Sequence, residues 1–374
     1  MIAAEITAKA FLLDHIRAME RHFDVSVVVN TDNVDFLKPF GIEVPVIAVG
    51  IERKISITSD IKALYMLYWL FRRHGYDAIH SVTPKAGLLS MIAGYFAGVP
   101  IRIHIFTGQV WVTRKGISRW LLKTLDRILV LCATHILVDS CSQRDFLIEQ
   151  GVVSNKKSNV LADGSICGVD TDRFFPNIEA RERIRKKYGI SESDVVFLYL
   201  GRLNRDKGLH DLALSFDQIC SKYNNTHLVI VGPDEQGMKE QMESICTSCR
   251  QKMHFVGYTE VPEQYFAAAD VFCLPSYREG FGVVVIQAAS VGIPSIGTKI
   301  YGVIDTIEDG ITGLMYRPGD VDDLAAKMAE MIERPDLRKK MGTNARIRAS
   351  EKFSKETVTK ALVDYYKSLL LAGN

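Results

Sequence analysis

Short β-branched apolar runs alternate with longer amphipathic segments along the whole chain, and this alternation narrows the fold more than any other feature. Strands buried on both faces read as continuous apolar runs, and helical periods between them place helices over both faces of a parallel sheet. In the first half, strands are expected at Val25–Asn30, Ala78–Ser81, Ile101–Phe106, His135–Asp139 and Asn159–Leu161. Helices are expected at Ala8–His22, Ile61–His74, Gly87–Ala97 and Ile117–Ala133. In the second half, the strands are Val195–Leu200, His227–Val231, His254–Val256, Val271–Leu274, Pro294–Gly297 and Gly313–Tyr316. Between the halves, Asp163–Pro176 has turn residues and a terminal proline, which mark a linker. The expectation is an α/β protein with two Rossmann-like, doubly wound domains.

A length of 374 residues suits two such domains, each able to bury its own core. A net charge of +2 argues against a global nucleic-acid footprint. No apolar stretch reaches the roughly 18 residues a spanning helix needs: Ile61–Phe71 is interrupted by Lys62 and stopped by Arg72-Arg73. Met1–Glu5 lacks the basic head and apolar core of a signal peptide, and only Ile2–Ala4 is there to supply an opening strand, so the start reads as slightly truncated. The seven cysteines are scattered without a disulfide framework, which favours a reducing cytoplasm. Cys246-Thr-Ser-Cys249 is a lone CxxC without flanking ligands, and no metal or cofactor is expected there.

The densest chemistry lies at Tyr277–Ile293. Glu279 opens a glycine-flanked turn, Gly280-Phe281-Gly282, and a helix-compatible segment follows that carries Gln287. Glycines let the backbone approach a ligand closely, and a helix beginning near Gly282 would aim its free N–H groups at an anion. Glu279 and Gln287 lie about two helical turns apart, so both can meet one elongated ligand. Upstream, Gly201-Arg202-Leu203-Asn204-Arg205-Asp206-Lys207-Gly208 leaves the strand Val195–Leu200. Arg202 and Lys207 are then placed to bind a diphosphate, an anion that offsets the cost of cations at a positive helix end.

These residues carry a family resemblance. Gly201-Arg202-Leu203 with Lys207-Gly208, Glu279, and Gly292-Ile293-Pro294 resemble the ordered motifs of the GT-B retaining glycosyltransferases of the family-4 group, over residues 195–350. The resemblance implies two domains facing a central cleft, 1–168 for the acceptor and 169–354 for a nucleotide-sugar donor, with the last helix crossing back onto the first. It also implies roles. Arg202 and Lys207 would hold the diphosphate, and Glu279 would contact the transferred sugar. Gly201 and the backbone of Gly280, Phe281 and Gly282 would approach the donor, and Tyr258 would lie in the base-contacting loop, with uridine as the first choice of base. One departure stands out: Gln287 occupies the position of the family's second acid, which holds the ribose hydroxyls. An amide both donates and accepts, so binding can survive the change or weaken.

On the acceptor side, Lys85 opens a helix after the strand ending at Ser81, and Thr107 stands where many family members carry a histidine. His104, three positions earlier, alternates with apolar neighbours and reads equally as a core histidine. Arg114, Lys115, Arg119, Lys123 and Arg127 form a basic run. Arg119, Lys123 and Arg127 share one helix face, with Trp120, Leu121, Leu122, Leu125 and Ile128 supplying an apolar one. The run reads as a solvated face over a core helix, or as a peripheral contact with anionic membrane and a lipid-diphosphate-linked saccharide acceptor. Asp170-Thr-Asp172 and Asp320-Val-Asp322 match a metal-binding D-x-D pattern but sit in a hinge and at a helix cap, so no metal is expected at either.

The reading is a hexosyltransferase that moves a hexose or N-acetylhexosamine from a nucleotide sugar to a saccharide in bacterial surface-glycan synthesis. Its rivals are a nucleotide-sugar epimerase of similar fold, a non-catalytic nucleotide-sugar-binding protein and a dehydrogenase. The last lacks a G-x-G-x-x-G after any expected strand.

Overall fold

The structure is a computed structural model and describes residues 1–52 and 56–372. The chain forms two compact units, one of Met1–Cys167 with the segment from Lys355 onward, the other of Gly168–Ser354.

In unit 1, β1 (Val27–Val29) and β2 (Val46–Ala48) form a parallel pair. A separate four-stranded parallel sheet runs β3 (Ala78–Ser81), β4 (Ile101–Phe106), β5 (His135–Val138) and β6 (Ser158–Val160). The helices are α1 (Glu5–Phe11), α2 (Leu13–Met19), α3 (Ile57–His74), α4 (Pro84–Ala97), α5 (Gly116–Cys132) and α6 (Cys141–Glu149). The single helix expected over 8–22 is therefore two, meeting at Leu12, where φ of −119° and ψ of −5° depart from regular helix values. β2 was not expected, because its outer residues are half-buried or exposed and give no apolar run. Ile2 makes one isolated bridge to Val29 in place of a full opening strand.

Unit 2 is a six-stranded parallel sheet of β7 (Val195–Leu200), β8 (Thr226–Val231), β9 (Met253–Gly257), β10 (Val271–Leu274), β11 (Ser295–Thr298) and β12 (Gly313–Tyr316). The spatial order is β12-β11-β10-β7-β8-β9, the dinucleotide-fold order of two halves diverging from a central pair. Its helices are α7 (Ile178–Lys187), α8 (Leu209–Cys220), α9 (Met238–Ile245), α10 (Pro262–Ala268), α11 (Val283–Val291), α12 (Val303–Thr306), α13 (Val321–Glu333) and α14 (Pro335–Phe353). Phe197, Leu198, Leu228, Ile230 and Phe272 are buried on both faces of this sheet, as the continuous runs require.

At the amino end of β10, Asp270 accepts from Arg185 at 2.6 Å, from Arg181 at 3.0 Å and from the Val196 N–H at 2.7 Å. Arg185, 1% exposed, spends its other donors on the carbonyls of Ala268, Ser191 and Asp194. The pair ties α7 to the neighbouring strands β7 and β10.

The last helix, α15 (Lys355–Ala372), belongs to unit 1. It brings Thr359 Oγ1 to 2.8 Å from His15 Nδ1 and Tyr366 Oη to 3.0 Å from His80 Nδ1. Burial pushes the His80 pKa down to about 3 and lowers that of His15, so both rings are neutral at ordinary pH.

The cysteine reading needs correction. Cys249 pairs with Cys220 as a disulfide, their Cα atoms 6.3 Å apart, across a separation of 29 residues that no local spacing reveals. Cys246 is buried and unbonded.

Candidate functional site

In an open parallel sheet, ligands bind beyond the carboxyl ends of the strands where the strand order reverses. In unit 2 that point lies between β7 and β10, and the segments leaving it there are Gly201–Gly208 and Pro275–Gly282. The two lie against each other. Gly208 has φ of +67°, and a Cβ there would stand 1.9 Å from the Pro275 carbonyl oxygen, so only glycine permits this approach. The Tyr277 N–H donates to the Asp206 carbonyl at 2.9 Å and completes the junction.

Several of the sequence-selected residues lie on these two segments. Lys207 Nζ donates to Glu279 Oε1 at 2.5 Å, and the Ser276 hydroxyl donates to the same oxygen at 2.7 Å. Ser276 is itself fixed because its carbonyl accepts from Thr298 Oγ1 at 2.6 Å. Arg202 is half-exposed and contacts both carboxylate oxygens of Glu235 at 3.1 Å. Asn204 Nδ2 reaches Glu235 Oε2 at 3.2 Å. Gly280 and Gly282 are buried, and Phe281 packs its ring on Phe353 with centroids 5.2 Å apart, so this turn has only backbone to offer a ligand. No side chain caps α11 at Gly282.

Gln287 lies on the second turn of α11 and is half-buried. Tyr258 is exposed just past β9.

Sequence reasoning missed several members of this cluster. Arg278 reaches Asp206 at 3.3 Å, and Tyr277 Oη donates to Asp211 at the start of α8. Burial first, and the Asp211 carboxylate second, push the Tyr277 phenol up to about 12. Glu235 comes from the segment after β8. The available signal was adjacency: Asp206 and Arg278 are sequence neighbours of Lys207 and Glu279.

The residues chosen for unit 1 lie on several elements. Lys85, in the first turn of α4, is held 2.5 Å from Asp60 of α3. His104 is a core histidine: it is 1% exposed, its Nδ1 lies 2.9 Å from Ser81 Oγ, and its ring rests where a Cβ on Gly87 would intrude. Burial pushes its pKa down to about 3. Thr107 is half-buried just past β4, while Arg114 and Lys115 are exposed ahead of α5.

The α5 helix presents the opposite face from the one expected. Lys123 donates to Gln150 Oε1 at 2.9 Å and Arg127 to the Gly151 carbonyl at 3.0 Å. Arg119 and Lys123 each lie 5.4 Å from the centroid of Trp111, which is buried. Ile117, Trp120, Leu121, Ile128 and Leu131 are exposed instead. In the same unit, α3 likewise exposes Ile57, Ile61, Tyr65 and Trp69 at four-residue spacing.

Both D-x-D candidates have structural tasks. Asp170 Oδ1 accepts from the N–H groups of Asp172 and Arg173, and Asp320 caps α13 through the Asp323 N–H at 3.0 Å. Among the described residues no group of three or more His, Cys, Asp or Glu is arranged to hold a metal.

With this geometry in hand, known proteins define the class. Residues 180–348 match the family "Glycosyl transferases group 1", and residues 8–162 match "Glycosyl transferase 4-like domain". The chain belongs to the family-4-type GT-B glycosyltransferases and is a glycosyltransferase. A capsular polysaccharide biosynthesis glycosyltransferase, CapM of Staphylococcus aureus, is 31% identical, over 94% of this chain and 91% of the relative. The UDP-Gal:alpha-D-GlcNAc-diphosphoundecaprenol alpha-1,3-galactosyltransferase of Escherichia coli is 27% identical, over 75% of this chain and 73% of that one. Among solved structures, Anabaena HepE in complex with UDP superposes with a TM-score of 0.80 at 20% identity, covering 98% of both chains.

Proposed function

We propose that the chain is a retaining hexosyltransferase of bacterial surface-glycan synthesis, using a UDP-linked hexose or N-acetylhexosamine and a saccharide acceptor on a lipid diphosphate. The observation that carries the donor half is the contact of Lys207 with Glu279 at the strand-order reversal of unit 2, with Arg202 leaving the same end of β7. Two cations and the uncapped start of α11 suit a diphosphate leaving group, whose growing charge such preorganised donors stabilise. Glu279, anchored by Ser276, is then the acceptor for hydroxyls of the transferred sugar. UDP is favoured because the name of one relative carries a UDP-linked sugar and HepE was solved in complex with UDP. The diphosphoundecaprenol acceptor in the name of one relative supports the lipid-linked acceptor.

In the proposed reaction the acceptor hydroxyl attacks the anomeric carbon from the face on which the diphosphate departs. The bond between that carbon and the phosphate oxygen breaks, its electrons go to the phosphate, and the phosphate oxygen takes the hydroxyl proton. Glu279, anchored by Ser276, is assigned to the sugar hydroxyls and no other carboxylate of the cluster is given the nucleophile's role, which favours this route over a covalent intermediate. In unit 1, Lys85, Thr107, Arg114 and Lys115 are proposed for the acceptor.

A peripheral membrane contact is proposed through the exposed apolar faces of α5 and α3. Trp and Tyr among aliphatic residues, with Arg114, Lys115, Arg72 and Arg73 nearby, have the composition of a helix lying at an anionic lipid interface. Among the described residues no helix is long and apolar enough to cross a membrane.

Screening nucleotide sugars for thermal stabilisation tests the donor reading. A ligand at a hundred times its dissociation constant adds roughly 2.7 kcal/mol. Stabilisation by UDP and one UDP-sugar is expected, and none by any nucleotide would overturn it. Changing Trp120 and Leu131 to Ser should release the protein from vesicles containing phosphatidylglycerol, and unaltered binding would refute the α5 contact.

A further inference from the structure

The junction of the two donor segments is a crossed clasp. Asp206-Lys207 faces Arg278-Glu279, and the acid of each dipeptide holds the base of the other: Lys207 on Glu279 at 2.5 Å, Arg278 on Asp206 at 3.3 Å. The two pairs differ in what the chemistry asks of them. In the reading above, Lys207 turns to the diphosphate and Glu279 to the sugar, so their bond must loosen when donor arrives. Asp206 and Arg278 lie one residue back on each segment, and neither is asked to leave its partner. Their positions are otherwise fixed by the Tyr277 N–H on the Asp206 carbonyl and by the contact of Gly208 with Pro275.

We infer that Asp206 and Arg278 are a positioning pair of the donor site, which keeps the turn carrying Lys207 in register with the loop carrying Glu279 while that second pair exchanges partners for the substrate. The inference rests on the donor-site reading. A half-exposed ion pair adds little to stability, so its effect lies in placement. Displacing a reacting group by about 1 Å is enough to cost on the order of a hundredfold in rate.

The pair acts on where Glu279 sits at the transition state more than on diphosphate binding, which Lys207 and Arg202 make directly. Arg278→Gln and Asp206→Asn should therefore lower turnover tenfold or more, while the dissociation constant for UDP moves less than threefold. Turnover is read as UDP release from the nucleotide sugar that most stabilises the parent protein, and UDP is the binding probe. The charge-swapped protein, Asp206→Arg with Arg278→Asp, should return to within threefold of the parent rate. Arg278→Lys, which keeps the charge but not the planar fork, should fall between. Thermal unfolding midpoints verify that each variant is folded.

The pair is refuted if both single variants stay within twofold of the parent, or if the swap is no better than the worse single variant. Lys207→Ala separates the two levels of the argument. If it retains UDP affinity and turnover, the donor-site reading itself fails. If it loses them while Arg278→Gln and Asp206→Asn do not, only the positioning pair fails.

Discussion

The two ends of β10 carry ion pairs of the same chemistry in opposite states. At the amino end, Arg185 is 1% exposed and donates to three carbonyls and to Asp270, whose side chain is 14% exposed and also accepts from Arg181 and the Val196 N–H. At the carboxyl end, Lys207 and Glu279 keep side-chain exposures of 20% and 13%. There the carboxylate has one further hydroxyl partner, Ser276. A largely buried, multiply bonded pair is costly to break and has little to give a ligand. A partly exposed pair with spare hydrogen-bonding capacity can be traded for one. The difference separates framework from site within a single strand.

The largest effect should come from breaking the first pair. Asp270→Ala leaves the buried Arg185 without its closest carboxylate, and should lower the unfolding free energy by about 3 kcal/mol in urea titration. The fraction still folded should turn over normally. A loss of activity per folded molecule would collapse the distinction between the two ends.

Lys207→Ala should do the reverse, with thermal unfolding little changed and donor turnover down by about 3 kcal/mol, a hundredfold or more. Steady-state kinetics on the purified variant checks this, and near-parental rates would remove Lys207 from the site.

Unit 1 extends the comparison with neutral groups in place of charges. His80 and His104 have pKa values pushed down to about 3, mainly by burial, whereas an unfolded ring protonates near 6.5. The folded rings stay neutral, so stability is complete above pH 6.5 and drains away as pH falls toward 3. At pH 5, 1.5 units below the unfolded value, each ring should cost about 2 kcal/mol. Urea titrations at pH 7 and 5, on the parent and on His80→Asn, should show this loss shrinking in the variant. An equal loss in both would clear His80.

The smallest effect tests how far charge governs the carboxyl end. Gln287→Glu should tighten donor binding by roughly 1 kcal/mol, because a carboxylate accepts stronger bonds from two ribose hydroxyls. The change should appear in the donor KM, since the ribose is held alike in ground and transition states. A turnover change at constant KM would move Gln287 to the reacting sugar.

The central strands were legible because they are buried on both faces and read as apolar runs; Val195–Leu200 and Val271–Leu274 needed no adjustment. Val46–Ala48 was not, for the opposite reason. Lys207 and Glu279 were legible through the glycines around them, since close backbone approach leaves a mark in sequence. Asp270 left none: its partner Arg185 is 85 residues away, and charge pairing has no period. Period also failed to orient α5. Amphipathicity tells that a helix has two faces, and only Gln150, Gly151 and Trp111 tell which one turns inward.

The return of α15 to unit 1 sets the order in which a ribosome can deliver a finished molecule. His15 waits for Thr359, 344 residues later, and His80 for Tyr366, 286 later. At about 5–20 residues per second, His15 spends roughly 17 to 70 seconds without its partner. Meanwhile the second-made half is synthesised whole and is free to fold. A nascent chain stalled before residue 355 should therefore show a protease-resistant unit 2 beside a cleavable unit 1, so the half translated first is the half finished last.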